Sequence, residues 1–256
     1  MAEIAISFVI FLVGLALGSF ANVVIYRMDK LRSILTVPSH CPRCRHRLAW
    51  YDLIPLLSFF ALRGRCRYCR KQISWQYPLV ELALGLLAVL LYLELGFSLA
   101  WLFHLLVATA LTILFAYDLK HLLLPDRIVA PGIVLAAASF FLREGLSLPT
   151  LNTLLLGIVG GAGFLAALYL LGRGRWMGLG DVKLAILLGA LLGWPLVVAA
   201  LLVAFVSGGL VSFGLVVARR ATLRSTVPFG PFLVLGALTA LLWGEELLTW
   251  YERAFL

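Results

Sequence analysis

Charge is scarce in this chain: of 256 residues only 13% are Asp, Glu, Lys or Arg, and the acids number 12. With 63% hydrophobic residues and a mean hydropathy of +1.05, that scarcity excludes a water-soluble domain of this length. The opening Met1-Ala2-Glu3 lacks the basic stretch of a cleaved signal peptide, and the apolar run behind it is too long for such a peptide's core. A retained first membrane span is expected. Cysteine is also rare, and all four lie in one polar segment.

What is abundant is apolar sequence in long runs. Crossing roughly 30 Å of hydrocarbon takes about 20 residues in a helix, and candidate runs occupy Ile4 to Ile25, Leu79 to Leu95, Leu99 to Tyr117, Ile128 to Leu142, Leu151 to Leu171, Val182 to Leu192, Leu196 to Ala218 and Phe229 to Leu242. The pattern predicts an all-α polytopic membrane protein of about eight transmembrane helices, or seven if the short sixth run merges with its neighbour across Gly193-Trp194-Pro195. Three regions follow: a first helix over 1–26, a polar insert over 27–77 and a helical core over 78–256. If eight spans alternate, 19 of the 21 Lys and Arg fall on one side, leaving only Arg143 and Arg253 on the other. The positive-inside rule puts the insert in the cytoplasm. The net charge of +9 is thereby an orientation signal, secondarily an attraction to anionic lipid, and nucleic acid is not needed to explain it.

The insert carries Cys41-Pro42-Arg43-Cys44 and Cys66-Arg67-Tyr68-Cys69. Two such knuckles can present four thiolates tetrahedrally to zinc, while the competing readings are two disulfides, which a reducing cytoplasm disfavours, or four idle thiols. A closed four-sulfur site has no open position and is structural. An insert with so few aliphatic residues would draw much of its folding energy from the metal. His40 and His46 flank the first knuckle as alternative ligands. The stretch Trp50 to Phe60 is too apolar for a solvated loop; it is read as lying against the membrane surface or the helix bundle, or as holding substrate.

Two aspartates end up at one membrane depth in the eight-span topology: Asp118, closing the third run, and Asp181, within Gly178-Leu179-Gly180-Asp181-Val182-Lys183 at the start of the sixth. Either alone is an ordinary span-end acid or helix cap. Together they form a site hypothesis, because two carboxyls in reach share one proton and can both activate water and protonate a leaving amine. By helix dipoles, Asp181 near an N-terminus should keep its charge and Asp118 near a C-terminus its proton. Gly178 and Gly180 clear space for another backbone, an extended peptide or a neighbouring helix. Asp126, behind Pro125, is a third acid with a supporting or solvated role. Glu81, early in the second span, needs a partner, either a substrate amino group or a structural one such as Asn22 or a basic residue. His104 is read as a packed histidine, the four-residue spacing of Gly14, Gly18 and Asn22 as a close helix contact, and Gly161-Ala162-Gly163 as helix packing. An ion-coupled transporter using paired carboxylates is the alternative; it would place acids near the midplane and show an internal repeat, and neither is evident. A non-catalytic, zinc-bearing membrane scaffold is a third reading.

Taken in order, Gly18 to Arg27, both knuckles, Trp50-Tyr51-Asp52 with Ile54-Pro55, Leu62 to Cys66, Tyr77 to Glu81, Asp118, Leu124-Pro125-Asp126, Gly178 to Leu184 and Pro228 to Pro231 resemble the bacterial prepilin leader peptidases of the GxGD intramembrane aspartic protease class. The resemblance implies removal of a basic leader from type IV prepilins or pseudopilins at the cytoplasmic membrane face, after a glycine. N-methylation of the new N-terminus with S-adenosylmethionine then follows. It makes Asp118 and Asp181 the proteolytic pair, with Gly178, Gly180, Lys183, Asp126 and Glu81 in support, and Cys41, Cys44, Cys66 and Cys69 the ligands of the metal that organises the transferase region. Gly64 and Arg65 stand where the family usually has Gly-Lys. Met28-Asp29-Lys30 departs from the usual Leu-Pro, and Leu53 replaces a common asparagine. The location implied is the bacterial inner membrane, with the active site facing the cytoplasm.

Overall fold

A computed structural model describes the chain apart from residues 29–33, 35, 221, 223, 224, 226 and 256, and apart from the side chains of 2, 251, 254 and 255. Asp29, Lys30, Arg32 and Arg224, which entered the motif comparison or the charge count, lie outside the described residues. Eight long helices stand where the eight apolar runs predict them: α1 (Ala2–Arg27), α3 (Gln76–Leu95), α4 (Leu99–His121), α5 (Asp126–Glu144), α6 (Leu148–Leu171), α7 (Leu179–Leu192), α8 (Leu196–Val217) and α9 (Gly230–Phe255); α2 (Leu57–Ala61) is a short helix of the insert. Local chemistry sets several ends. Ser98 and Ser147 cap α4 and α6, their hydroxyl oxygens accepting from the amides of Trp101 and Thr150, and α9 is interrupted at Trp243, one residue past the predicted end of its apolar run. Among the described residues, six of the eight are long and apolar enough to cross a membrane. The other two fall short for different reasons: charged residues at both ends of α5 confine its apolar stretch to Ile128 through Leu142, and α7 has only 14 residues.

The chain divides into two compact units, 1–96 and 97–256. In the first, α1 packs along α3, so the second apolar run joins the first helix and the insert rather than the core that follows. The contact runs along the stripe read from sequence. A Cβ at Gly14 would meet the backbone of Leu84 and Gly85, one at Gly18 would lie 2.5 Å from Glu81 Cα, and Asn22 Nδ2 donates to the Tyr77 carbonyl at 3.0 Å. Small residues let the backbones meet, and the asparagine closes the row with a hydrogen bond.

In the second unit α7 is the axis. Leu184, Ala185 and every residue from Leu187 to Leu192 are buried, and α5, α6, α8 and α9 pack around it. Its apolarity on all sides, which in a longer run would mark a lipid-facing span, here reflects enclosure by protein. Glycine again permits the closest crossing: a Cβ at Gly189 would lie 2.6 Å from Ile158 Cα on α6. Gly161 faces Val197 at 2.7 Å in the same sense, so Gly161-Ala162-Gly163 serves helix packing, as read from its apolar setting.

Gly18→Leu should therefore lower the thermal midpoint of the detergent-solubilised protein, since overpacking a tight contact costs about 1–3 kcal/mol. An unchanged midpoint would show that α1 and α3 do not rely on this approach.

Candidate active site and thiolate cluster

Asp118 lies in the last turn of α4, only 5% exposed. Its carboxylate accepts a hydrogen bond from the backbone N–H of Gly230, the first residue of α9. The approach is close enough that a Cβ on Gly230 would sit 2.6 Å from Asp118 Oδ2. Asp181 is the third residue of α7, partly exposed, and its Oδ2 accepts from the Gly178 amide at 3.2 Å. The two carboxyls are near enough for the charge on Asp118 to act on Asp181. Across 63 positions of sequence, three helix ends thus converge, and each acid is held by a glycine N–H.

Leu124 fills the space left between these ends. A Cβ on Gly180 would stand 3.3 Å from Leu124 Cβ, and one on Gly230 3.4 Å from its Cδ2. The room beside Gly180 is therefore taken by a side chain from the α4–α5 connection, whereas Gly178 is exposed and a Cβ there would come no nearer than 3.5 Å to the Asp181 carboxylate and 3.9 Å to the Gly180 amide. In the sequence, Phe229-Gly230-Pro231 reads as a break at the start of the eighth span near the cytoplasmic surface and as a candidate contact with the site, and the fold brings Gly230 against Asp118. The dipole argument for dividing the proton between the two acids also loses its basis. Asp118 is near the C-terminus of its own helix but faces the N-terminus of α9, so both carboxyls meet positive helix ends.

Lys183 and Asp126 pair with each other. Lys183 Nζ donates to both carboxylate oxygens at 2.8 Å, and both side chains are well exposed. The pair ties the start of α5 to the start of α7 at the rim of the site. Glu81 belongs to the first unit, where its Oε2 accepts from the Leu56 amide at 2.9 Å and Ser19 also hydrogen-bonds the carboxylate. The partners it needed are thus a backbone amide and a hydroxyl, in place of Asn22 or a cation. His104 is buried, with Nδ1 against the Ala100 carbonyl at 2.8 Å.

In the insert the four cysteine sulfurs all lie within 4.8 Å of one another, with Cys41 and Cys69 3.9 Å apart. A tetrahedral metal with bonds near 2.3 Å needs sulfurs about 3.8 Å apart, so the donor set fits one. Each knuckle folds alike: the amides of Cys41 and Cys66 donate to the carbonyls of His46 and Lys71, the amides of Arg45 and Arg70 donate back to Cys41 and Cys66, and Arg45 and Arg70 both take positive φ. Burial pushes the Cys41 thiol up, but the amides of Cys44 and Arg43 and the neighbouring sulfurs outweigh it and bring it down to about 7. At Cys44 the His46 amide favours the thiolate, yet desolvation and the adjacent Cys41 and Cys69 sulfurs carry it up to about 11. Four thiolates cannot coexist here without a cation. His40 turns to the Pro38 carbonyl and His46 stacks on Tyr68, so neither completes the cluster.

Gly64 takes φ +66, and a Cβ there would meet the Phe59 ring at 3.1 Å; Arg65 is exposed. Sequence reading passed over a third feature, Asp52, whose side chain is 2% exposed, accepting from Arg67 Nε at 2.8 Å and from the Tyr68 hydroxyl at 3.3 Å. Arg67 also lies over the Tyr51 ring. Asp52 is one of only two acids between positions 27 and 77, and that rarity was its signal.

Residues 12–95 match the bacterial peptidase A24 N-terminal domain, and residues 105–213 match the type IV leader peptidase family. Among curated relatives, prepilin leader peptidase/N-methyltransferases are 36% identical in Aeromonas salmonicida (96% of this chain, 94% of the relative), 35% in Pseudomonas putida (91% and 89%) and 33% in Pseudomonas aeruginosa (94% and 91%). No solved structure gives a significant match. With its membrane-spanning helices and these matches over nearly its whole length, the chain belongs to the type IV leader peptidase family and is a bacterial multi-pass membrane peptidase.

Proposed function

We propose that Asp118 and Asp181 are an aspartic dyad that removes the basic leader from type IV prepilins or pseudopilins at the cytoplasmic face of the inner membrane. The observation that carries this reading is the convergence of two sequence-distant carboxyls, each on a glycine amide at a helix N-terminus, in the family of proteins named for leader cleavage. In the reaction one carboxylate takes a proton from water as its oxygen attacks the scissile carbonyl. The other, protonated, stabilises the tetrahedral oxygen and then returns a proton to the departing amine. Gly178, being open, leaves room for an extended substrate backbone. Lys183 and Asp126 act only by holding the helix starts together. The 19 to 2 division of basic residues supports the cytoplasmic orientation.

The same reading makes the thiolate cluster a structural zinc site and assigns methylation of the new N-terminus to the chain. S-adenosylmethionine would supply an electrophilic methyl group to that amine. Gly64 and Arg65 are the candidate residues for holding the donor, the exposed guanidinium suiting its carboxylate.

Purified protein incubated with a prepilin and methyl donor should yield a shortened pilin whose N-terminus carries one methyl by mass spectrometry. Asp118→Asn and Asp181→Asn should each lower cleavage by roughly 10²-fold or more, the usual scale of lost acid–base catalysis, and wild-type cleavage by either variant would sink the dyad. Lys183→Met, which removes only an exposed ion pair of about 0–1 kcal/mol, should cleave within a few-fold of wild type. Stripping the metal should open the insert to proteolysis between the knuckles. Because the thiols must lose protons to bind it, metal affinity should fall as pH drops from alkaline values, with Cys44 already protonated below about 11, and most steeply below about 7, where Cys41 also takes up its proton; titration with zinc at several pH values checks the sign.

A further inference from the structure

The insert displays large apolar side chains along one short stretch: Trp50 is 77% exposed, Leu57 70% and Phe60 61%, with Leu53 beside them. A patch of this kind needs a covering. Its level relative to α1 and α3 is fixed by hydrogen bonds. The Leu56 amide, at the head of α2, donates to Glu81, Ser19 of α1 hydrogen-bonds the same carboxylate, and Gly18 packs on the Glu81 backbone. Glu81 is five residues inside α3 and Ser19 eight residues before the end of α1; at 1.5 Å per residue these lie roughly 8 and 12 Å in from the helix ends. The head of α2 is thus held deeper than the point where either span begins. Trp75, 63% exposed at the N-cap of α3, packs on Phe59 of α2 with ring centroids 5.0 Å apart, which sets the rest of α2 at the level of an interfacial aromatic belt. Just beyond α2 come Arg63 and Arg65, both exposed.

We propose that residues 53–60 form a wedge seated in the bilayer interface, with Leu57 and Phe60 among the outer acyl carbons of surrounding phospholipid and Arg63 on an anionic headgroup phosphate. The depth imposed by Glu81 and the basic residues following α2 both favour lipid over a protein partner. The inference depends on the membrane spans and not on the dyad.

A photoreactive benzoylphenylalanine placed singly at Leu57 or Phe60 tests it in nanodiscs of phosphatidylglycerol and phosphatidylethanolamine. Leu86, exposed midway along α3, serves as the lipid-facing reference, and Arg43 on the first knuckle as the aqueous one. The wedge requires phospholipid adducts by mass spectrometry from both positions, in yields matching Leu86 and several-fold above Arg43. Lipid yields no higher than at Arg43, or adducts formed mainly with protein of any kind, would overturn it. A measurement on the unsubstituted protein guards against misfolded variants: hydroxyl-radical labelling in the same nanodiscs should modify Phe60 several-fold less than Tyr68 of the second knuckle. Equal labelling of the two rings would also refute the wedge.

Discussion

A carboxylate inside an apolar helix bundle must be supplied with donors or it will not be kept there. In this chain the donors for both Asp118 and Asp181 are backbone amides of glycine at helix starts, Gly230 and Gly178. That requirement orders the second unit: the end of α4 must meet the start of α9, α7 must begin beside them, and Leu124 must wedge where two glycines leave room. Backbone amides at the first turn of a helix are rigid and already oriented, so they can hold an acid without any side chain having to be frozen for the purpose.

The first unit solves the same problem differently. Its buried acids are satisfied by contacts that tie the polar insert together and to the spans: Glu81 by the Leu56 amide and Ser19, Asp52 by Arg67 and Tyr68. The knuckles are two copies of one turn facing each other across four sulfurs. With α1 and α3 zipped along Gly14, Gly18 and Asn22, the insert is fastened at both ends and through its middle.

Much of this could be read in advance because it rests on composition and period. Helix positions follow apolar runs, the knuckles follow Cys-x-x-Cys, and the α1–α3 seam follows small residues spaced by four. What could not be read is tertiary. Nothing in the spacing of Phe229-Gly230-Pro231 says that the amide reaches an acid 112 positions earlier, and the dipole assigned to Asp118 from its own helix was overridden by a helix that sequence could not place opposite it. Glu81 was legible as an acid in need of a partner, but its partner, a main-chain amide, has no residue signature. Lys183 and Asp126 were legible as residues near the motif, but that they pair with each other was not.

The brevity of α7 has a further result. Fourteen residues rise about 21 Å, short of the roughly 30 Å of hydrocarbon. At the far end a Cβ on Gly193 would meet the Phe140 ring at 2.7 Å and Thr153 at 3.2 Å, so that end is filled by side chains. At the near end Gly178 and Leu179 are exposed, and Asp181, two residues on, is partly so while Asp118 stays covered. A short central helix among longer neighbours leaves the acid of its own first turn with the greater access to water.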